Sequence, residues 1–169
     1  MQPTLEKKSG QRDTRAQGFS LIELLVVVAV ILIIAAIAIP NFIQSKERAN
    51  ESSAAQNLRT ITTAEVIYST TYGVGFAPSL PSLGGSGGNP TAAGAELIDV
   101  VLAAGVKNGY LYSYTVLASD PLGDVTAYAI NADPQVPNYT GTRHFYTDQT
   151  AVIRENDSVP AGATDNPIQ

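Results

Sequence analysis

Gly18-Phe19-Ser20-Leu21-Ile22-Glu23-Leu24-Leu25-Val26-Val27-Val28 opens a run that continues without a polar side chain from Leu24 to Ile39 and stops at Pro40. From Phe19 to Ile39 only Ser20 and Glu23 interrupt the apolar character. As a helix, at a rise of ~1.5 Å per residue, that stretch is ~31 Å long, enough to cross the hydrocarbon core of a bilayer. Before it, Met1–Gly18 is short and polar, with Lys7, Lys8, Arg12 and Arg15 against Glu6 and Asp13. Such a segment reads as a leader to be set aside from the fold. Its positive charge predicts a cytoplasmic N-terminal flank and places everything after Pro40 on the far side.

Downstream, the pattern changes without a break. Ala54, Leu58, Ile61, Glu65, Tyr68 and Tyr72 recur at spacings of three and four, and Ala64 and Ile67 widen the stripe. Glu51, Gln56, Asn57 and Arg59 fall largely off it. This is the period of a one-sided helix. No glycine occurs between Phe19 and Tyr72, and the only proline there is Pro40. The spacing therefore predicts one helix of ~80 Å, kinked at Pro40. Residues 19–40 form its wholly apolar part and 41–72 its amphipathic part.

Residues 73–169 make the rest of a soluble region. Gly73–Pro90 reads as a loop, with Gly-Gly-Ser-Gly-Gly at 84–88. Gly94–Ala104 predicts a short helix ended by Gly105. Strand signals follow at Tyr110–Ala118, Val125–Asn131, Arg143–Thr147 and Ala151–Arg154, the last two joined by a tight Asp148-Gln149-Thr150 turn. Asn156–Gln169 reads as irregular. Four short antiparallel strands need a cover, and residues 54–72 supply one. The expected fold is α+β: a long N-terminal helix whose apolar half protrudes and whose second half packs on a four-stranded antiparallel sheet.

Composition closes off several chemistries. Net charge is −5, and with the basic leader removed the body is more acidic still. A nucleic-acid binder would need the opposite sign. There is no cysteine, which excludes thiol catalysis, cysteine metal sites and disulfide stapling but says nothing about export. The one histidine, His144, lies in the alternating Arg143-His144-Phe145-Tyr146 and reads as a strand residue. No nucleophile–base pair or phosphate loop is visible, so an enzyme is not expected. Strand propensity explains Tyr110, Tyr112 and Tyr114, and helix packing explains Tyr68 and Tyr72.

The Gly18–Val28 block, continuing through Pro40, resembles the type III signal of type IV pilins and of the pseudopilins of type II secretion. The resemblance implies cleavage between Gly18 and Phe19 by a prepilin peptidase, and N-methylation of Phe19. It pairs Glu23 of one subunit with the Phe19 amine of its neighbour in a helical homopolymer. It also implies an inner-membrane assembly platform, minor pilins, and surrounding lipid before assembly. The subunit would begin as a single-pass inner-membrane protein with its C-terminal domain outside. It would end in an extracellular pilus or a periplasmic pseudopilus. In filament relatives the helix before the proline is often unwound, which predicts the same within Ala29–Ile39. Some pseudopilins hold calcium in C-terminal loops, which makes Asp120, Asp124, Asp133 and Asp148 candidates here, although turn capping accounts for them as well.

Physical chemistry supports these residue types at these places. Glycine lets a peptidase approach the following bond closely. A lone carboxylate in an apolar helix carries a penalty of ~3 kcal/mol or more near a bilayer centre and needs a partner. Cleavage creates one, because the new amine of Phe19 lies four residues from Glu23 on one helix face. Other readings remain open: a secretory signal cut at Ala36-Ile37-Ala38, a plain single-pass anchor, a pseudopilin, or an anchored binding module that never polymerises.

Overall fold

The computed structural model describes residues 19–85 and 87–168. The chain divides into two compact units between Ile39 and Pro40. One helix, α1 (Leu21–Tyr72), contributes to both.

In the first unit α1 is helical at every residue. Valine and isoleucine are modest helix formers. In an apolar medium, however, an unpaired backbone group costs several kcal/mol, and the helix pairs its own. Ala29–Ile39 is helical throughout, against the expected unwinding. Pro40 removes one donor, while each residue before it still gains its own i→i−4 bond.

In the second unit, residues 51–68 of α1 bury one face. Ala54, Leu58, Ile61, Ala64, Glu65 and Tyr68 lie in or beside a single core with Tyr110, Tyr112, Tyr128, Ile130 and Phe145. Two expectations at the margins fail. Ile67 is exposed, whereas Asn57 and Glu51 are buried. At about 100° per residue, Ile67 lies beyond one edge of the buried arc, and Asn57 and Glu51 lie inside it. Their polar groups are satisfied there: Asn57 Nδ2 donates to the Tyr112 hydroxyl at 2.8 Å.

The sheet has six strands, not four. They are β1 (Val106–Lys107), β2 (Tyr110–Ser119), β3 (Val125–Pro134), β4 (His144–Asp148), β5 (Arg154–Asn156) and β6 (Asn166–Pro167). They form an antiparallel meander in chain order. The two extra strands are two residues each, too short to carry a period. β5 begins at Arg154 because Ala151 sits at φ 61 and its N–H closes the turn onto the Asp148 carbonyl. Part of the C-terminal stretch expected to be irregular is therefore strand. Ala161 from that stretch is buried against Ala129 and Tyr146 on the face of the sheet away from α1.

The register sets the faces. Tyr112, Ala132 and Phe145 lie side by side on the core face of β2, β3 and β4, and Tyr114, Ile130 and Thr147 form the next row. The expected helix at Gly94–Ala104 shrinks to α3 (Val100–Ala103), capped by the Asp99 carboxylate on the Leu102 N–H at 3.1 Å. Glu96 at φ 56 breaks any earlier start. A further turn, α2 (Leu80–Leu83), lies within the expected loop.

Candidate assembly site

Ser20 occupies the N-cap position of α1, and Glu23 is the third residue of the helix. The Ser20 N–H donates to Glu23 Oε2 at 2.9 Å, and the Leu24 N–H bonds back to the Ser20 carbonyl at 3.2 Å. This is the carboxylate half of a capping box, in which an acidic side chain reaches back to the first free donor of the helix. The partial positive charge of the helix N-terminus favours a carboxylate there. One oxygen of Glu23 is thus used within the chain.

Phe19 is 80% exposed. The Gly18–Phe19 bond cannot be described, because Gly18 lies outside the described residues. Beyond Glu23 the helix presents Leu24, Leu25, Val26, Val27, Val30, Ile31, Leu32, Ile33, Ile34, Ile37 and Ile39 to its surroundings, none of them buried. Among the described residues, α1 is the one helix long and apolar enough to cross a membrane. A bare apolar rod of this kind is not a stable surface in water; it requires lipid or copies of itself.

The calcium candidates are not brought together. Asp120 Oδ1 accepts the N–H groups of Leu122 and Asp124 in the turn between β2 and β3. Asp133 lies at the other end of β3 and pairs with His144 Nδ1 at 2.6 Å. Asp148 Oδ1 caps its own turn at Thr150. Among the described residues no three acidic, histidine or cysteine groups are placed to share a metal ion.

The second unit buries two carboxylates, Glu51, which the sequence placed off the stripe, and Glu65, which it placed on it. Glu51 Oε1 accepts the N–H groups of Thr142 and Arg143, and its Oε2 accepts Arg143 Nε at 2.9 Å. Arg143 also reaches Glu155 Oε2 at 2.7 Å through Nη1. Burial alone would raise the Glu51 pKa; the Thr142 N–H and the Arg143 side chain outweigh it and hold the carboxyl below its ordinary value. Its stabilising contribution is therefore present above the ordinary carboxylate range and is lost as pH falls through the lowered value. Arg143→Ala should cost about 1–2 kcal/mol, discounted because the arginine side chain is 39% exposed. Thermal melts of the full chain in detergent check this; the deficit should shrink as pH falls through the lowered Glu51 value, below the ordinary 4.5.

Glu65 is the opposite case. It is fully buried, its Oε2 accepts the Ala77 N–H at 2.8 Å, and its Oε1 has no partner. Burial, only partly offset by the Ala77 N–H and Tyr114, pushes its pKa up to about 7. The Tyr114 hydroxyl beside it donates to the Ala77 carbonyl at 2.6 Å. The segment after α1 is thus held at Ala77 from two sides, by the helix through Glu65 and by β2 through Tyr114. Position 65 fell on the apolar stripe of the sequence; its spacing was the only hint that an acid would be buried.

Residues 13–39 match the prokaryotic N-terminal methylation motif. The chain is 53% identical over 53 residues to the type IV major pilin protein PilA of Myxococcus xanthus, covering 31% of this chain and 24% of that protein. It is 54% identical over 37 residues to the type IV wide pilus major component PilA4 of Thermus thermophilus, covering 22% and 28%. It thus spans about a quarter of the length of these relatives. No solved structure matches it. The methylation motif, the capped Glu23 and the exposed apolar helix coincide in one segment, and over that segment the chain is similar to type IV major pilins.

Proposed function

We propose that this chain is the precursor of the structural subunit of a type IV pilus. It is cut between Gly18 and Phe19 by a prepilin peptidase, methylated on Phe19, and polymerised from the inner membrane into a surface filament. The observation that carries the reading is Glu23. It is the one ionisable group of the apolar stretch Phe19–Ile39, which none of the described residues of its unit buries.

Each part has a physical role. Before assembly the helix is held in lipid, with Glu23 near one interface and capped on Ser20. Cutting after Gly18 creates a positive amine at Phe19. In the filament, the second oxygen of Glu23 takes the amine of a neighbouring subunit, and the apolar faces of parallel helices pack on one another. Such a pair sets the axial register of one subunit against the next, and a buried ion pair is better suited to specificity than to net stability. The soluble unit stands outside, and its loops carry what the filament contacts.

Both matched relatives are named as major pilus components, which favours a pilus over a secretion piston. The test is the composition of surface filaments sheared from cells. This chain should be their principal protein; its absence from them, with the chain present in the membrane, would overturn the reading.

A further inference from the structure

The second unit carries an unfinished piece of sheet. β1 covers only Tyr110 and Leu111 of β2, and β4 pairs with β3 only from Ala129 to Ala132. The far end of the β2–β3 hairpin, with its turn at 120–124, is flanked on the β3 side only by a bridge from Gly75 and Phe76 to Val125, and on the β2 side by no strand. Thr115 to Ser119 are exposed at every position, on both faces. Val116, Leu117 and Ala118 lie there, and Leu122 at the tip is 87% exposed. A two-stranded ribbon is marginal in water by itself. Free edges are normally blunted by charge, proline or brevity. The opposite edge of this sheet is blunted, as β6 is two residues long and includes Pro167. The β2 edge is not: Ser113–Ser119 contains neither a charged residue nor a proline.

The outer side of α1 in the same unit offers a counterpart. Arg59, Thr63, Val66 and Thr70 are exposed and lie on the side of the helix opposite its buried arc. Among the described residues Arg59 has no ion-pair partner, and no acidic residue lies between Arg59 and Tyr72 except the buried Glu65. The hairpin tip has the reverse character, with Asp120 and Asp124 flanking Leu122. The Asp124 carboxylate takes no partner among the described residues, whereas Asp120 is occupied by its own turn.

We propose that the β2–β3 hairpin tip of one copy docks on the outer α1 face of the next, with Leu122 against Val66 and Asp124 against Arg59. The occupant is a second copy because one chain carries both halves, apolar against apolar and acid against base. The two patches share no residue, so the contact is heterologous; a contact of that type propagates from copy to copy and builds an open filament where its rotation does not close a ring. The inference rests on the filament reading and adds to it a second contact, outside the apolar helices.

The test uses the full chain in filament-forming cells. Arg59→Glu and Asp124→Arg should each lower the yield of sheared filaments about tenfold, and the combined exchange should return it to within about threefold of the parent. Because the chain has no cysteine, Val66→Cys with Leu122→Cys can also be treated in filaments with a short bis-maleimide. A ladder of trimers and larger species is expected from the double variant, and dimers at most from each single one. Parent-like yield from both single charge variants, a combined variant no better than the worse single one, or a double-cysteine chain that stops at dimers overturns the docking alone. A parent chain that forms no filaments overturns both the docking and the filament reading beneath it.

Discussion

Glu23→Ala should leave the chain inserted and cleaved yet abolish filaments. The substitution removes two things at once. It removes the acceptor of the Ser20 N–H, worth about 1 kcal/mol at a helix start. It also removes the charge proposed to meet the amine of a neighbour. Glu23→Gln separates them, since an amide oxygen still accepts from Ser20 but carries no charge. If the cap were the function, the glutamine variant would assemble. On the pairing account it fails as the alanine variant does, because a charge-assisted hydrogen bond is worth ~1.5–3 kcal/mol, about ten- to hundredfold per contact. Each subunit added to a polymer meets that loss again. Filament yield by shearing, alongside the fraction of cleaved chain in the membrane, gives both readouts. Normal filaments from Glu23→Gln would sink the pairing.

Glu65→Gln should stabilise the second unit at alkaline pH and remove a pH dependence. The folded carboxyl holds its proton up to about 7, whereas the unfolded one releases it near 4.5. Between those values the folded state binds more protons, so stability falls as pH rises. A displacement of that size corresponds to about 3 kcal/mol by pH 8. The glutamine keeps an oxygen for the Ala77 N–H and never ionises. Variant and parent should therefore melt alike near pH 4.5 and separate by about 10 °C at pH 8. Tyrosine near-ultraviolet circular dichroism of the full chain in detergent would follow the melt, since Tyr68, Tyr110 and Tyr128 are buried in the same core. Parallel pH profiles for the two proteins would contradict a buried, proton-holding Glu65. Glu65→Ala, which orphans the Ala77 N–H, should be less stable than Glu65→Gln at every pH.

The sequence was most legible where one physical constraint acts on many consecutive residues. The run from Leu24 to Ile39 can only be an apolar helix, and the three-four spacing from Ala54 to Tyr68 can only bury one face. The long alternating strands at Tyr110 and Val125 were readable for the same reason. Legibility failed where a single tertiary contact decides. Asn57 is buried because Tyr112 offers it a hydroxyl, and Glu51 because Arg143 and two N–H groups meet it. Neither partner is near in sequence. β1 and β6 are too short for any period, and the shift of β5 follows from a left-handed Ala151. The unwinding expected before Pro40 was carried by resemblance to filament relatives, and the described chain keeps its helix there.

At the assembly site, Gly18, Phe19 and Glu23 stand out in the sequence because their types are unusual at those places. The bond from Ser20 to Glu23 was missed there, although Ser20-Leu21-Ile22-Glu23 has the spacing of a capping box and could have signalled it. The charged clasp at Glu51 was not legible, because its partners are far away in the chain; Glu65 stood on the buried stripe, but its bond to the Ala77 N–H had no sequence signal.

The central claim is that processing makes the charge on which polymerisation depends. The mass of the first peptide of the chain recovered from sheared filaments tests it most directly. The account predicts a chain that begins at N-methylated Phe19. A chain in filaments that begins at Met1, or one that begins at Ile39, would contradict it.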